Sequence, residues 1–492
     1  MKRSHGSRLQ SFLSSLFRRS LFLLTSHVSL LTLFLLLCSP AVVFSQQRWE
    51  RTWGGEGNDF GESAQQTTDG GFIIVGETNS IGYNCNVYLI KTDARGDTLW
   101  SKLYGVLQTN DGRCVQQTYD GGYIIAGGTW VSNRRSYDVL LIKTNAQGDT
   151  LWTKTYGDSG MDYGWSVQQT QDSGYVIAGE TSFQGAGRGD VYLIKTDGRG
   201  DTLWTRAYGG AMQDRGFSVR QTRDGGYILA GETRSFGDTL GDVYVIRTNP
   251  QGDTLWTRQL GGNRADRGNS IQQTRNGNYI LTGGTESFAK WRDAIYLVQL
   301  DSLGNVLWQR TYDGYDSEWG SSVRQTVDGG YVIAGSTSSQ GAGMFDIYLI
   351  KTDSLGDTVW TKTYGGAYED EGNSVSEAAD GGYIIAGLTN SFGAGGFDFY
   401  IIKTDPSGNS GIEEANRGQQ TEAQRGKPVP NPFVSYTILP GHESERFALY
   451  DITGRRVGTY KGDRVGEGLS PGVYFLRPFG EYAKPLRIVK LR

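Results

Sequence analysis

The chain is poor in the residues that carry acid–base or metal chemistry through a ring nitrogen or a thiol. Three of its 492 residues are histidine, and His5, His27 and His442 all lie outside the repetitive middle. A Ser-His-Asp triad, a histidine-ligated zinc, copper or haem iron and a histidine general base are therefore unavailable there. Cysteine is equally sparse. Cys38 falls in the leading segment, which leaves Cys85 and Cys114, too few for a disulfide framework; one bridge or two free thiols both stay open. Helix-favouring runs are scarce beyond the N-terminus, whereas the 72 glycines are about twice the ~7% of ordinary proteins and predict many tight turns.

Long apolar runs are nearly absent too. The one clear example, LFLLTSHVSLLTLFLLLCSPAVVF, follows Arg18 and Arg19 in a stretch without acidic residues. It predicts a signal peptide over residues 1–45, with Val43 and Ser45 placed for cleavage before Gln46. A retained anchor is the alternative reading, since the run is long enough to span a bilayer. Leu37 before Cys38 argues against lipidation. After removal of this segment no transmembrane stretch is expected. The segment holds five of the 48 basic residues, so without it the net charge is −9, which argues against a nucleic-acid partner.

What is present is a repeat. Tryptophans 100, 152, 204, 256, 308 and 360 are spaced by 52 residues, and Trp49 precedes the series by 51. A period of this size signals a propeller or solenoid. One period contains four short β-type runs: WSVQQT, GYVIAGET, DVYLIKT and DTLWTRAYG. Asp69-Gly70 and its equivalents, such as Asp120-Gly121 and Asn276-Gly277, predict a two-residue hairpin between the first two runs. The turns Asp93 to Gly96 and Asp197 to Gly200, with their five counterparts, predict a second hairpin between the last two. Sheets with runs such as VYLIKT need cover on both faces, and radial packing supplies it; the periodic tryptophans then lie between blades. The seventh repeat lacks a fourth strand after Gly408, and WERTWGG at Trp49 to Gly55 is an orphan one. The expected fold is all-β: a seven-bladed β-propeller over 46–410 with four-stranded blades, its N-terminal strand closing the last blade. A polar linker over 411–427 and a small Ig-like β-sandwich over 428–492 follow.

Residues recurring in every blade serve the blade, so a single site must use residues that differ. Asp59, Asn110, Asp162, Asp214, Asp266, Glu318 and Asp370 form a recurring ring. Its carboxylates could hold a hard cation such as calcium, but accepting backbone N–H bonds at strand starts is the simpler role. No metal or other cofactor is otherwise expected. Among the loops entering strands one and three, the repeats diverge at Trp130, Arg134, Arg135, Trp165, Arg188, Lys290, Trp291, Arg292 and Trp319. Aromatic faces beside cations suit a polysaccharide or protein ligand. The polar VQQT and VRQT runs face the channel, where solvation explains them. Of catalytic chemistries only an Asp/Glu pair survives, as in a glycoside hydrolase, and no catalytic residue stands in a distinctive motif. A binding or adhesion role is thus expected before catalysis, with a purely structural surface protein as a third reading.

The glycine after YIIA, the later Tyr and the closing Trp resemble kelch-type propeller repeats, although the kelch double glycine survives only at Gly127-Gly128 and Gly283-Gly284. The T-D-x-x-G-D-T-x-W turn looks like the structural Asp-box of sialidase-type propellers, and residues 46–410 resemble D-G-G-Y-I-I-A-G proteins exported by Gram-negative bacteria. Some relatives of that kind are labelled endoglucanase-like. PVPNPF at 428–433, FALYDITGRRV at 447–457, LSPGVYFLR at 469–477 and KPLRIVKLR at 484–492 resemble, in order, the type A C-terminal sorting domain of the type IX (Por) secretion system. The resemblance implies Gly472, Tyr474, Lys484 and Lys490 as parts of the sorting signal. It also implies the secretion machinery as a partner, and release or attachment at the outer cell surface.

Overall fold

The computed structural model describes residues 47–411 apart from 83, 106–108 and 238, and in the C-terminal region 437–438, 446–451, 455–461, 464–466, 468–478 and 486–490. The expected signal peptide, nearly all of the expected linker and Lys484 lie outside the described residues. No helix occurs among the residues described. Strands are numbered β1 to β34 in chain order.

Seven four-stranded antiparallel sheets make up the repeat region. In the first, β2 (Asp59–Gln66), β3 (Phe72–Thr78), β4 (Asn86–Thr92) and β5 (Thr98–Tyr104) are hydrogen-bonded in sequence order. The innermost strands of the next six blades are β6 (Asn110–Gln117), β10 (Asp162–Gln169), β14 (Asp214–Gln221), β18 (Asp266–Gln273), β22 (Glu318–Gln325) and β26 (Asp370–Glu377). Each of these meets the next around an axis, and β26 returns to β2, so the ring is a seven-bladed β-propeller.

The two middle strands of a blade are apolar on both faces, and each face finds a neighbour. Val176, Ala178, Val191 and Leu193 of blade three, for example, pack with Val219, Tyr227, Leu229, Tyr244 and Ile246 of blade four. At the periphery each periodic tryptophan meets an aromatic ring of the next blade: Trp100 lies 5.9 Å from Tyr123 and Trp152 5.8 Å from Tyr175. The glycine ending the outer turn is fixed twice over. Gly148 has φ 78°, and a Cβ there would stand 2.7 Å from the Trp100 ring.

The ring closes as the missing strand predicts. β1 (Trp49–Trp53) pairs antiparallel with β28 (Asp398–Lys403), Trp49 opposite Lys403 and Trp53 opposite Phe399. Trp49 then repeats the inter-blade contact, 5.5 Å from Phe72, and its indole N–H donates to Ala94 O at 3.1 Å.

The inner hairpins differ from the two-residue turn expected. Only one residue per turn has positive φ, Gly70 (84°) or Ser173 (66°), and Gly70 N–H bonds to Thr67 O while Thr67 N–H bonds to Gly71 O, both at 2.9 Å. This is a three-residue loop: a type I turn followed by one left-handed residue. Asp69 keeps ordinary φ because it is held in place, accepting from Gly71 N–H at 3.0 Å and pairing with the buried Lys91 at 3.0 Å.

In the C-terminal region β30 (Arg446–Asp451), β31 (Arg456–Lys461), β33 (Gly472–Pro478) and β34 (Leu486–Lys490) form one sheet in the order β31-β30-β33-β34. A short ladder pairs β29 (Thr437–Ile438) with β32 (Arg464–Val465). Val465 shares a core with Phe447, Leu449, Tyr474, Leu476 and Ile488.

Deleting Gln46–Gly55 leaves the last blade without its outer strand and is expected to lower the melting temperature sharply. Trp49→Ala alone is expected to cost about 3–5 kcal/mol in urea unfolding. Unchanged melting of the deletion would contradict this closure.

Candidate functional site

The seven innermost strands line the axial channel, and each carries one β-bulge at the same place. In β2 the register shifts between Gly61 and Ser63, and the same shift recurs in β6, β10, β14, β18, β22 and β26. A bulge inserts one unpaired residue and re-aims its side chain. The residues so placed are Glu62, Arg113, Trp165, Phe217, Asn269, Ser321 and Asn373, different in nearly every blade. They touch around the ring: Arg113 pairs with Glu62 and lies 5.5 Å over the Trp165 ring, which sits 5.8 Å from Phe217. Two residues earlier stand Phe60, Asp111, Tyr163, Arg215, Arg267, Trp319 and Glu371, again non-repeating. Together they form the mouth of the channel.

Deeper in the channel the polar runs are structural, which corrects the solvation reading. The last inner-strand residue accepts a backbone N–H from the preceding blade in every case, as Gln117 does from Thr68 (2.9 Å) and Gln169 from Tyr119 (2.8 Å). Gln66 completes the circle by accepting from Ala379 at 2.7 Å.

At the mouth, Arg113 gathers three carboxylates. Besides Glu62 it approaches Glu77 at 3.7 Å and Asp111 at 4.0 Å, and its Nε donates to Tyr163 Oη at 2.7 Å. Burial pushes Glu62, Glu77 and Asp111 above the ordinary carboxylate range, and Arg113 pulls each partly back. One guanidinium is shared among three carboxylates, so it offsets their burial only in part. Cys85, which is free and not bridged to Cys114, donates its thiol to Glu77 at 3.3 Å. On the other side of Glu62, burial and the neighbouring Glu369 raise Glu371 to about 7. Across the mouth the groups are donors and rings. Arg267 lies 4.4 Å over Trp319, and two buried donors, Arg267 Nε and Trp165 Nε1, have no partner among the described residues.

The residues singled out by sequence divide into three groups. Trp165 and Trp319 are not in loops as expected but on β10 and β22 at the mouth: Trp165 is the residue released by its bulge, and Trp319 is paired with Ser336 just before the bulge of its strand. Arg188, Trp291 and Arg292, with Lys290, are exposed in the loops between second and third strands, Trp291 at 63% and Arg292 3.2 Å from Asp316. Trp130 packs edge-on against Tyr137 at 5.2 Å. Beside it Arg134 is engaged by Asp138 and the Asp158 carbonyl, and Arg135 sits at the loop tip with φ 52°. Phe183, Phe236, Tyr315, Met344 and Tyr368 are also exposed on this rim, unflagged by sequence because they vary in type as well as position. Glu62, Asp111, Arg113 and Tyr163 were likewise missed. The signal was available in the two variable positions of D-x-G-x-S.

The acidic ring lies at blade junctions. Asp59 accepts from Gly55 N–H at 2.9 Å, Asp162 from Asp158 N–H at 3.1 Å and Asp214 from Gly210 N–H at 2.9 Å. Asp266, Glu318 and Asp370 accept from Gly262, Gly314 and Gly366 at 2.9, 2.7 and 2.7 Å. Among the described residues no group of three His, Cys, Asp or Glu is placed to hold a metal ion. At several junctions a second buried Asp approaches: a Cβ on Gly54 would fall 1.6 Å from Asp398 Oδ1 and 2.7 Å from Asp59 Oδ2. Asp398 Oδ1 has no partner, and burial, reinforced by Asp59, raises Asp398 to about 7.

No family model matches the chain. It is 24% identical over 257 residues to the regulatory protein FlaEY of Caulobacter vibrioides, a match covering 46% of this chain and 26% of that protein. Among solved structures it is similar to the WD40 domain of Neurospora crassa Pan2 (TM-score 0.45, 11% identity, 75% of this chain and 98% of that one). It is also similar to YCF48 bound to D1 peptide (0.41, 10%, 75% and 99%). A third is the extracellular domain of the putative hybrid two-component system BT3049 from B. thetaiotaomicron (0.40, 13%, 90% and 57%). With TM-scores this low, the fold rests on the ring of seven sheets itself.

Two outcomes follow from the ionised groups. Asp398 binds its proton more tightly folded than unfolded, so the stability it contributes is lost as pH rises from 3.8 through about 7. Asp398→Asn removes that loss, and its stability relative to the parent is expected to rise by up to about 4 kcal/mol between pH 4 and pH 8; a constant difference would refute the junction pair. Arg113→Gln is expected to cost about 3 kcal/mol at pH 8 and clearly less at pH 5, where the carboxyl groups take up protons. Urea unfolding at the two pH values measures both.

Proposed function

We propose that the protein is a secreted or cell-surface binding propeller that holds a polysaccharide or protein ligand on the rim around the channel mouth. The carrying observation is the concentration of non-repeating groups at one end. Trp165, Phe217 and Trp319 supply rings there, Trp165 Nε1 and Arg267 Nε are buried donors without acceptors, and Trp291, Phe183, Tyr315 and Met344 are exposed around them. An unpaired buried donor is costly, and a hydroxyl or carbonyl oxygen of a ligand satisfies it. Exposed rings offer stacking area. Export by a type IX secretion system, through an immunoglobulin-like sorting domain, is the matching reading of the C-terminal motifs; Gly472 and Tyr474 fall on β33 and Lys490 on β34.

A second reading is a carboxylate-based glycoside hydrolase, favoured by the Glu62, Glu77 and Asp111 cluster in the same mouth, whose carboxyls burial raises above the ordinary range. Arg113 already occupies the space between these acids, which places binding first.

Trp291→Ala and Phe183→Ala, both at exposed sites, are expected to leave melting unchanged and to weaken binding on a polysaccharide and surface-protein panel at least tenfold, about 1.4 kcal/mol. No binding by the parent protein overturns the reading. Release of reducing sugar that is lost in Glu62→Gln would replace it with the hydrolase.

A further inference from the structure

Two cations in the channel lack a counter-charge. The seventh residue of the inner strand is glutamine in four blades (Gln65, Gln116, Gln168, Gln272) and serine in one (Ser376). In blades four and six it is arginine, Arg220 and Arg324. Several other arginines meet acids, Arg113 meeting Glu62, Arg215 meeting Glu180 at 2.9 Å and Arg247 meeting Asp224 at 2.5 Å, while Arg258 and Arg267 lie over the Trp256 and Trp319 rings. Arg220 instead donates from Nη1 to Val219 O at 2.8 Å and Ser166 Oγ at 3.4 Å, and Arg324 donates from Nη1 to Val323 O at 2.9 Å. Among the described residues neither forms an ion pair, and Nε and Nη2 of both have no acceptor.

The two arginines stand at the same register position of the channel-lining strands β14 and β22, with β18 between them. Burial lowers both guanidiniums, and Arg220 adds its repulsion to bring Arg324 down to about 9. The glutamines of this level add donors. Gln65, Gln116 and Gln168 spend their Oε1 on the Gln117, Gln169 and Gln221 N–H groups at 3.0, 2.6 and 2.7 Å, which leaves their amino ends over. The level is rich in unused donors and carries two unbalanced positive charges.

We propose that this level of the channel is a binding site for a small oxyanion, a phosphate or carboxylate group, held by Arg220, Arg324 and the amino ends of Gln65, Gln116 and Gln168. Guanidinium forks match both groups, and in a confined channel one anion removes the repulsion between two cations. The site is separate from the rim and stands whether or not the rim binds a glycan.

Titration calorimetry of the purified protein with inorganic phosphate, and separately with glucuronate, at constant ionic strength in sodium chloride tests it. One saturable site is expected. Arg220→Gln/Arg324→Gln installs the residue four other blades carry, so the double variant keeps its melting temperature while affinity falls at least a hundredfold. Binding of phosphate alone assigns a free ion, and binding of glucuronate assigns the acid group of a larger ligand. No saturable binding of either, or undiminished affinity in the double variant, overturns the proposal.

Discussion

The constraint on which the structure depends is that the middle of every blade is apolar on both faces. A single sheet of that kind has no stable surface in water, and two stacked sheets still leave two faces bare. Only a closed ring covers them all. The residues that repeat are those the ring needs: the tryptophan of one blade against the Tyr or Phe of the next, the glycine beneath it, and the glutamine reaching back to the previous turn. Edge-on aromatic contacts contribute about 0.5–1.5 kcal/mol each beyond burial. Because Trp49 repeats the same contact with Phe72, the N-terminal strand is part of this circuit.

The same constraint explains what could be read from sequence. Strand runs, blade count and closure were legible because each is forced by burial and written in every repeat. The inner turn was misjudged because Asp-Gly fits two hairpin types. The bonds that separate them, from Gly71 N–H and Lys91 to Asp69, come from the flanking glycine and from the third strand. The VQQT run was misjudged for a related reason: glutamine suits solvent and inter-blade hydrogen bonding equally, and only the 49-residue reach of Gln117 to Thr68 distinguishes them. Trp165 and Trp319 were picked for the right property and set on the wrong element. A bulge in D-x-G-x-S leaves no mark other than the variability of the residue it releases.

Buried acids are handled in two ways. At the junctions each ring carboxylate accepts a backbone N–H through one oxygen, and where a second Asp approaches, as Asp398 approaches Asp59, the pKa of Asp398 is raised. The junction between blades one and two uses Asn86 and Asn110 instead, so the packing does not require charge. At the mouth three acids share a single cation, Arg113, which offsets only part of the rise that burial imposes on them.

This difference separates structural cations from functional ones. Lys91 and its equivalents, Arg113 and Arg215 each sit beside an acid of their own or a neighbouring blade, and such a pair is complete without a ligand. Arg220 and Arg324 stand where the glutamines of blades one to three accept an inter-blade backbone N–H, so at their positions the ring gives up that bond and gains a charge that no ion pair among the described residues balances. Neither packing nor solubility asks for that exchange on a channel-lining strand, since four blades carry glutamine there. A charge that completes no pair within the fold is accounted for by something outside it, and an anion is what a pair of guanidinium forks is shaped to hold.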